Sequence, residues 1–128
     1  MKVLDPKTHG FLDYALALAF LIAPAVFDFS ERATTLAYAI GVVHLGVSLI
    51  TRYPLGILKW VPFPVHGAVE TLMAVGFILA PWLFGFSEDA AARNFFVVAG
   101  VGVLAIVFLT DYRGRGTAEA DSRRVSHA

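Results

Sequence analysis

The chain has 128 residues, of which 58% are hydrophobic and 16% charged, with no net charge and no cysteine. A charged fraction so far below the roughly 25% of soluble domains points to a membrane protein. Without a cluster of Lys or Arg it does not read as a nucleic-acid binder, and without thiols it has neither disulfides nor thiolate metal sites.

Four apolar stretches follow one another at 10–27, 33–51, 67–86 and 90–110. Each is close to the roughly 20 residues a helix needs to cross the hydrocarbon core. They are too long for strands and apolar on nearly every side, unlike the helices of a soluble bundle. The expected fold is all-α, with four transmembrane helices. The first stretch resembles a signal peptide, with Lys2 and Lys7 before it and Ala23-Pro24-Ala25 near its end. Asp13 interrupts its apolar core, however, and the third stretch carries the same pattern in mid-chain.

That recurrence is an internal duplication. His9-Gly10, Asp13, Ala23-Pro24 and Phe27-Asp28-Phe29-Ser30-Glu31 return as His66-Gly67, Glu70, Ala80-Pro81 and Phe84-Gly85-Phe86-Ser87-Glu88, 57 residues later throughout. The units are two helix hairpins, about 8–54 and 65–112, which form one membrane domain over 1–112. A polar tail over 113–128 is expected to be disordered and cytoplasmic. Two helices per unit give both units the same polarity, so a parallel pseudo-twofold along the membrane normal is expected to relate them.

Lys2, Lys7, Arg52, Lys59, Arg113, Arg115, Arg123 and Arg124 fall at one end of these spans, and Arg32 and Arg93 at the other. This bias is expected to place both termini and the middle loop in the cytoplasm. The middle loop, 52–64, has Pro54, Pro62 and Pro64 to interrupt a helix, and Tyr53, Lys59 and Trp60 suited to the headgroup layer. In the opposite turns, Ser30 and Ser87 are the expected N-caps of the second and fourth helices.

The residues shared by the two copies of the first helix, His9, Gly10, Ala17, Phe20, Ala23, Pro24 and Phe27, fall within one arc at about 100° per residue. Asp13, matched by Glu70, lies in the same arc. Phe11, Leu18 and Ile22 lie opposite and change in the second copy. The shared face should pack, and the variable face should meet lipid.

Ala80-Pro81-Trp82-Leu83-Phe84-Gly85-Phe86-Ser87 resembles the SPW repeat of small bacterial membrane proteins, whose Ser-Pro-Trp signature lies in the first of two transmembrane helices. Ala80 takes the Ser position, and the first copy reads Ala23-Pro24-Ala25. The resemblance covers about 8–112 and implies the fold and the location, with no activity attached.

The one constellation with chemical potential is ionisable and lies at membrane depth. His9 and Asp13, and again His66 and Glu70, stand four residues apart and so share a helix face. The repeat would bring the pairs together. Two imidazoles and two carboxylates suit a Zn, Mn or Fe site or a proton relay. They also suit plain hydrogen bonding. His44 lies on a small, polar stripe with Gly41, Ser48 and Thr51 on the second helix. Gly41 aligns with Gly100 at an offset of 59, which sets Val103 opposite His44. Haem b is disfavoured, since of these histidines His44 alone is deep.

No phosphate loop, nucleophile elbow or triad occurs in the sequence. The expected role is structural or accessory and non-enzymatic, with no cofactor. The alternative is proton or metal handling by His9, Asp13, His44, His66 and Glu70. The bilayer is the expected partner, with a homo-oligomer or a second membrane protein where transport is involved.

Overall fold

The computed structural model describes residues 2–112 and Ser126. The tail expected over 113–128 lies outside them, apart from Ser126. The described residues form four helices, α1 Pro6–Val26, α2 Glu31–Leu49, α3 Phe63–Leu83 and α4 Ala90–Leu109, each long and apolar enough to cross a membrane. The chain is a multi-pass membrane protein of all-α fold.

Local chemistry sets the helix ends. Asp5 caps α1 by accepting from the Thr8 N–H at 2.7 Å, with Pro6 behind it at a position where no donor is needed. α3 starts at Phe63, earlier than its apolar run, with Pro62 at the cap and Pro64 in its first turn. Proline there continues a helix rather than breaking it. α1 and α3 end alike: Asp28 and Gly85 take left-handed backbone (φ 51 and 73), and the Phe29 and Phe86 N–H groups bond back to the Pro24 and Pro81 carbonyls.

The N-caps correct one expectation. Ser30 holds the cap position of α2 without a side-chain bond, and the cap of α4 is Asp89, not Ser87. The second hairpin turn is two residues longer, so the offset between copies grows from 57 in α1/α3 to 59 in α2/α4, and Asp89 is the counterpart of Ser30. One Asp89 oxygen accepts from Ala92 N at 3.1 Å and the other from Ser30 N at 2.7 Å. A single carboxylate thus serves two helix N-termini. Burial alone would raise its pKa, but the Ser30 and Ala92 N–H groups outweigh that and hold it below the ordinary value.

α1 packs on α2 and α3 on α4 through matched close approaches. A Cβ on Gly41 would stand 3.2 Å from the Ala17 carbonyl oxygen, and one on Gly100 2.6 Å from that of Ala74. The buried face of α1 is His9, Gly10, Asp13, Ala17, Phe20, Ala23 and Pro24, which matches the shared arc except that Phe27 is exposed beyond the helix end. Phe11, Leu18 and Ile22 point outward, as α3 does with Val75 and Leu79. In a bilayer these side chains meet lipid. Trp60 and Trp82 are exposed at opposite ends of the bundle, where amphipathic rings prefer to sit.

Inside, the two halves of the bundle differ. The half toward the hairpin turns is filled by phenyl rings: Phe20 lies 4.9 Å from Phe77, 5.0 Å from Phe95 and 5.5 Å from Phe96, and Phe86 packs on Phe96 at 4.9 Å. The half toward the termini is polar. There the segment before each odd helix pairs with the segment after an even one. Val3 and Leu4 donate to the Leu109 carbonyl and Asp111 to that of Leu4, while Arg52 donates to Val61 and Val61 to Ile50. The segments on α1 and α4 are thereby tied together, as are those on α2 and α3.

Candidate metal centre

All five ionisable groups singled out above are buried, and they converge. His9 Nε2 stands 3.1 Å from Asp13 Oδ1 and 2.9 Å from Glu70 Oε2, and His66 Nε2 3.0 Å from Asp13 Oδ2 and 3.4 Å from Glu70 Oε1. Nitrogen and oxygen alternate around a closed ring of four residues, two from each repeat. Ligands held about 2.1 Å from one ion are separated by about 3.0 Å at right angles and about 3.4 Å at tetrahedral angles. The ring's edges span that range when both oxygens of each carboxylate are counted. One ligand atom from each residue lies within 4.8 Å of the other three.

Two threonines fix which imidazole nitrogen faces inward. A hydroxyl has a single proton. Thr51 gives its proton to the Val47 carbonyl at 2.6 Å, and Thr110 gives its own to Ile106 at 2.6 Å. Toward the rings both oxygens therefore accept, and His66 Nδ1 at 2.7 Å and His9 Nδ1 at 2.8 Å are the N–H donors. Each Nε2 is left to face the carboxylates. A neutral ring would turn its lone pair on an anionic oxygen, which is repulsive unless a cation lies between. One proton on each Nε2, or one divalent ion among the four residues, balances the two carboxylates equally.

Close as the oxygens are, neither His9 Nε2 nor His66 Nε2 has one in line for an N–H···O hydrogen bond, and Asp13 Oδ2 and Glu70 Oε2 are likewise unpaired. Each Nε2 stands within 3.4 Å of one oxygen from each carboxylate, a spacing that ligands of a shared ion also adopt. The Nδ1–H tie to a hydroxyl behind each ring is the support that metal-bound imidazoles normally have. With no sulfur and two imidazoles, the donor set suits a first-row transition ion better than Ca²⁺ or Mg²⁺.

A cover of aromatic rings closes the terminal end. Tyr53 stacks on Phe63 at 5.4 Å and lies 5.8 Å from His66, while Tyr112 lies 4.5 Å from Phe63 and 5.5 Å from His9. Gly10 and Gly67 admit these tyrosines, since a Cβ would meet a Tyr53 ring carbon at 2.8 Å and one of Tyr112 at 2.6 Å. The recurrent His-Gly pair is thus a ligand candidate followed by a seat for the cover. Burial, reinforced by Asp13, pushes the Tyr53 phenol above its ordinary pKa, and burial with Glu70 does the same for Tyr112. Both stay protonated. The expectation that Tyr53 sits among headgroups is therefore corrected: it is buried over the site, while Trp60 is exposed.

Thr110, Tyr112, Phe63 and the role of Thr51 were not anticipated. The signal was present, because Thr51/Thr110 and Tyr53/Tyr112 repeat at the same offset of 59 as Gly41/Gly100.

Residues 7–110 match the SPW repeat domain. The chain belongs to the SPW repeat family. The match takes in all four helices of this SPW-repeat protein and the entire His/carboxylate ring. No curated protein and no solved structure matches the chain.

Proposed function

We propose that this SPW-repeat protein is a metal-holding membrane protein, in which His9, Asp13, His66 and Glu70 bind one divalent first-row transition ion between the two repeats. The observation that carries the reading is the position of the two Nε2 atoms. They lie at ligand-to-ligand distance from the carboxylates but out of line with each oxygen, and their Nδ1–H groups are already committed to Thr51 and Thr110. A purely hydrogen-bonded clasp has no need of that geometry. Buried ionic groups are expensive at membrane depth, and an ion at their centre offsets the expense directly. The role is accessory rather than enzymatic. The basic bias supports a site at the cytoplasmic end of an inner-membrane protein. The threonine, tyrosine and glycine contacts, recurring at offsets of 57 and 59, support a parallel pseudo-twofold between the repeats.

The test is elemental analysis of the full chain purified in mild detergent, followed by titration with Mn²⁺, Co²⁺ and Zn²⁺. Stoichiometric uptake is expected. The double variant Asp13→Asn, Glu70→Gln should retain its helical circular dichroism and take up none. A wild-type protein that binds none of the three ions would refute the proposal.

A further inference from the structure

His44 breaks the correspondence between the repeats. On the face of α2 that packs inward, Ala33, Ala37, Gly41 and His44 are buried, and on α4 the matching residues are Ala92, Phe96, Gly100 and Val103. Three of these four positions hold small or apolar residues in both helices. At the fourth, α2 has an imidazole where α4 has a valine. A donor thus faces the ring of four from α2, and the matching position of α4 holds none.

The imidazole is 1% exposed, and neither of its nitrogens has a hydrogen-bond partner. The neighbouring Ser48 hydroxyl does not serve it, because it donates to the His44 backbone carbonyl at 2.8 Å. His44 Nε2 faces the ring, 3.8 Å from Asp13 Oδ1 and 3.7 Å from Glu70 Oε1. It is thus nearly equidistant from one carboxylate of each repeat. These distances exceed the ring's own edges by only a few tenths of an ångström to somewhat under one. A small side-chain rotation would bring Nε2 to the separation of about 3.0 to 3.4 Å that neighbouring ligands adopt.

We infer that His44 is the fifth ligand of the ion, which gives a centre of three imidazoles and two carboxylates. The inference rests on the four-residue site proposed above and adds its coordination number. It accounts for a buried histidine with both nitrogens unpartnered, a group that packing alone would favour replacing with an apolar residue, as at Val103. A fifth donor also moves the site away from the closed four-coordinate tetrahedron typical of structural zinc.

Co²⁺ bound to the full-length protein in detergent is the probe. Its visible d–d absorption is weaker in five-coordinate than in tetrahedral sites. The wild type should give the weaker, five-coordinate spectrum. His44→Val, which installs the residue α4 already accommodates, should give the stronger, four-coordinate one and bind Co²⁺ at least about tenfold less tightly. X-ray absorption of the Co²⁺-loaded wild type needs no variant and counts imidazole ligands directly. Three imidazoles support the assignment, and two overturn it. A His44→Val protein with an unchanged spectrum and affinity removes His44 from the coordination sphere but leaves the four-residue site standing. A wild type that takes up no Co²⁺ overturns both.

Discussion

His9 of the first repeat lies closer to Glu70 of the second, 2.9 Å, than to Asp13 one turn along its own helix, 3.1 Å. His66 likewise makes its shorter approach to Asp13, at 3.0 Å, rather than to its helical neighbour Glu70, at 3.4 Å. The i, i+4 pairs visible in the sequence are thus secondary to pairs formed across the repeats, so neither hairpin alone can assemble the site. Duplication supplied two copies of an incomplete half.

The threonines behind the imidazoles should matter to the ion they never touch. Thr51→Val or Thr110→Val keeps the side-chain shape and removes the acceptor of a buried Nδ1–H. Metal affinity should fall on the order of 10- to 100-fold, the usual cost of losing an outer-shell partner. Each unpaired N–H should also lower stability by about 1–3 kcal/mol. Ser48→Ala, which removes a hydroxyl that donates to a backbone carbonyl and accepts from no imidazole, serves as the control in Co²⁺ titration and thermal melts. Equal affinities for Thr51→Val and Ser48→Ala would contradict the argument.

Helix spacing gives a second contrast within a single helix. A Cβ at Gly100 meets the Ala74 carbonyl oxygen at 2.6 Å, whereas one at Gly102 meets nothing within 4 Å. Gly100→Ala must push α3 and α4 apart, and overpacking of this kind costs about 1–3 kcal/mol. Gly102→Ala should be neutral or slightly stabilising, since alanine is the better helix former by about 1 kcal/mol. Thermal unfolding in detergent distinguishes the two, and equal Tm values would show that the close approach is not needed.

Asp89 offers a pH signature away from the membrane interior. Its carboxylate caps α4 and also receives the Ser30 N–H, so Asp89→Ala should cost about 1–2 kcal/mol. Its pKa is depressed in the folded protein. The stabilisation is therefore complete above the unfolded carboxyl pKa of about 4 and disappears as pH falls through the lower folded value. The Tm gap between wild type and Asp89→Ala should be constant from about pH 5 to 8 and close in stronger acid. A gap independent of pH down to full protonation would show that the charge plays no part.

Topology can be checked against a background without thiols, because the chain has no cysteine. Ser30→Cys should react with an impermeant maleimide added to intact cells, and Ile57→Cys, in the exposed middle loop, should not. The reverse labelling would invert the orientation and place the metal ring at the other face of the membrane.

Most of the architecture could be read from the residues. Side chains with few chemical alternatives, such as the buried Ala17, Ala74, Phe20 and Phe77, mark the packed face because the duplication kept them while the lipid side drifted. The ring residues were legible for the same reason. The α4 cap was not, because two extra residues in the second turn displaced the role from Ser87 to Asp89, and a fixed offset of 57 conceals the shift. Tyr53 was misplaced because its composition suits a headgroup belt equally well. Its burial depends on Gly10, whose missing side chain signals nothing until the partner ring is known. The pairing of Thr110 with His9 spans 101 residues and follows from tertiary closure rather than from any local pattern.

The phenyl layer around Phe20 and Phe77 bears on how the site can exchange with water. It fills the bundle from the ring to the hairpin turns and leaves no polar path in that direction. On the other side the Tyr53, Phe63 and Tyr112 rings intervene among the described residues, and two of them hang from connecting segments rather than from helices. An ion bound as proposed would therefore exchange through the end of the ring away from the phenyl layer. On the proposed reading, a single copy of the chain would equilibrate with one compartment, and its occupancy would track the free metal on that side of the membrane.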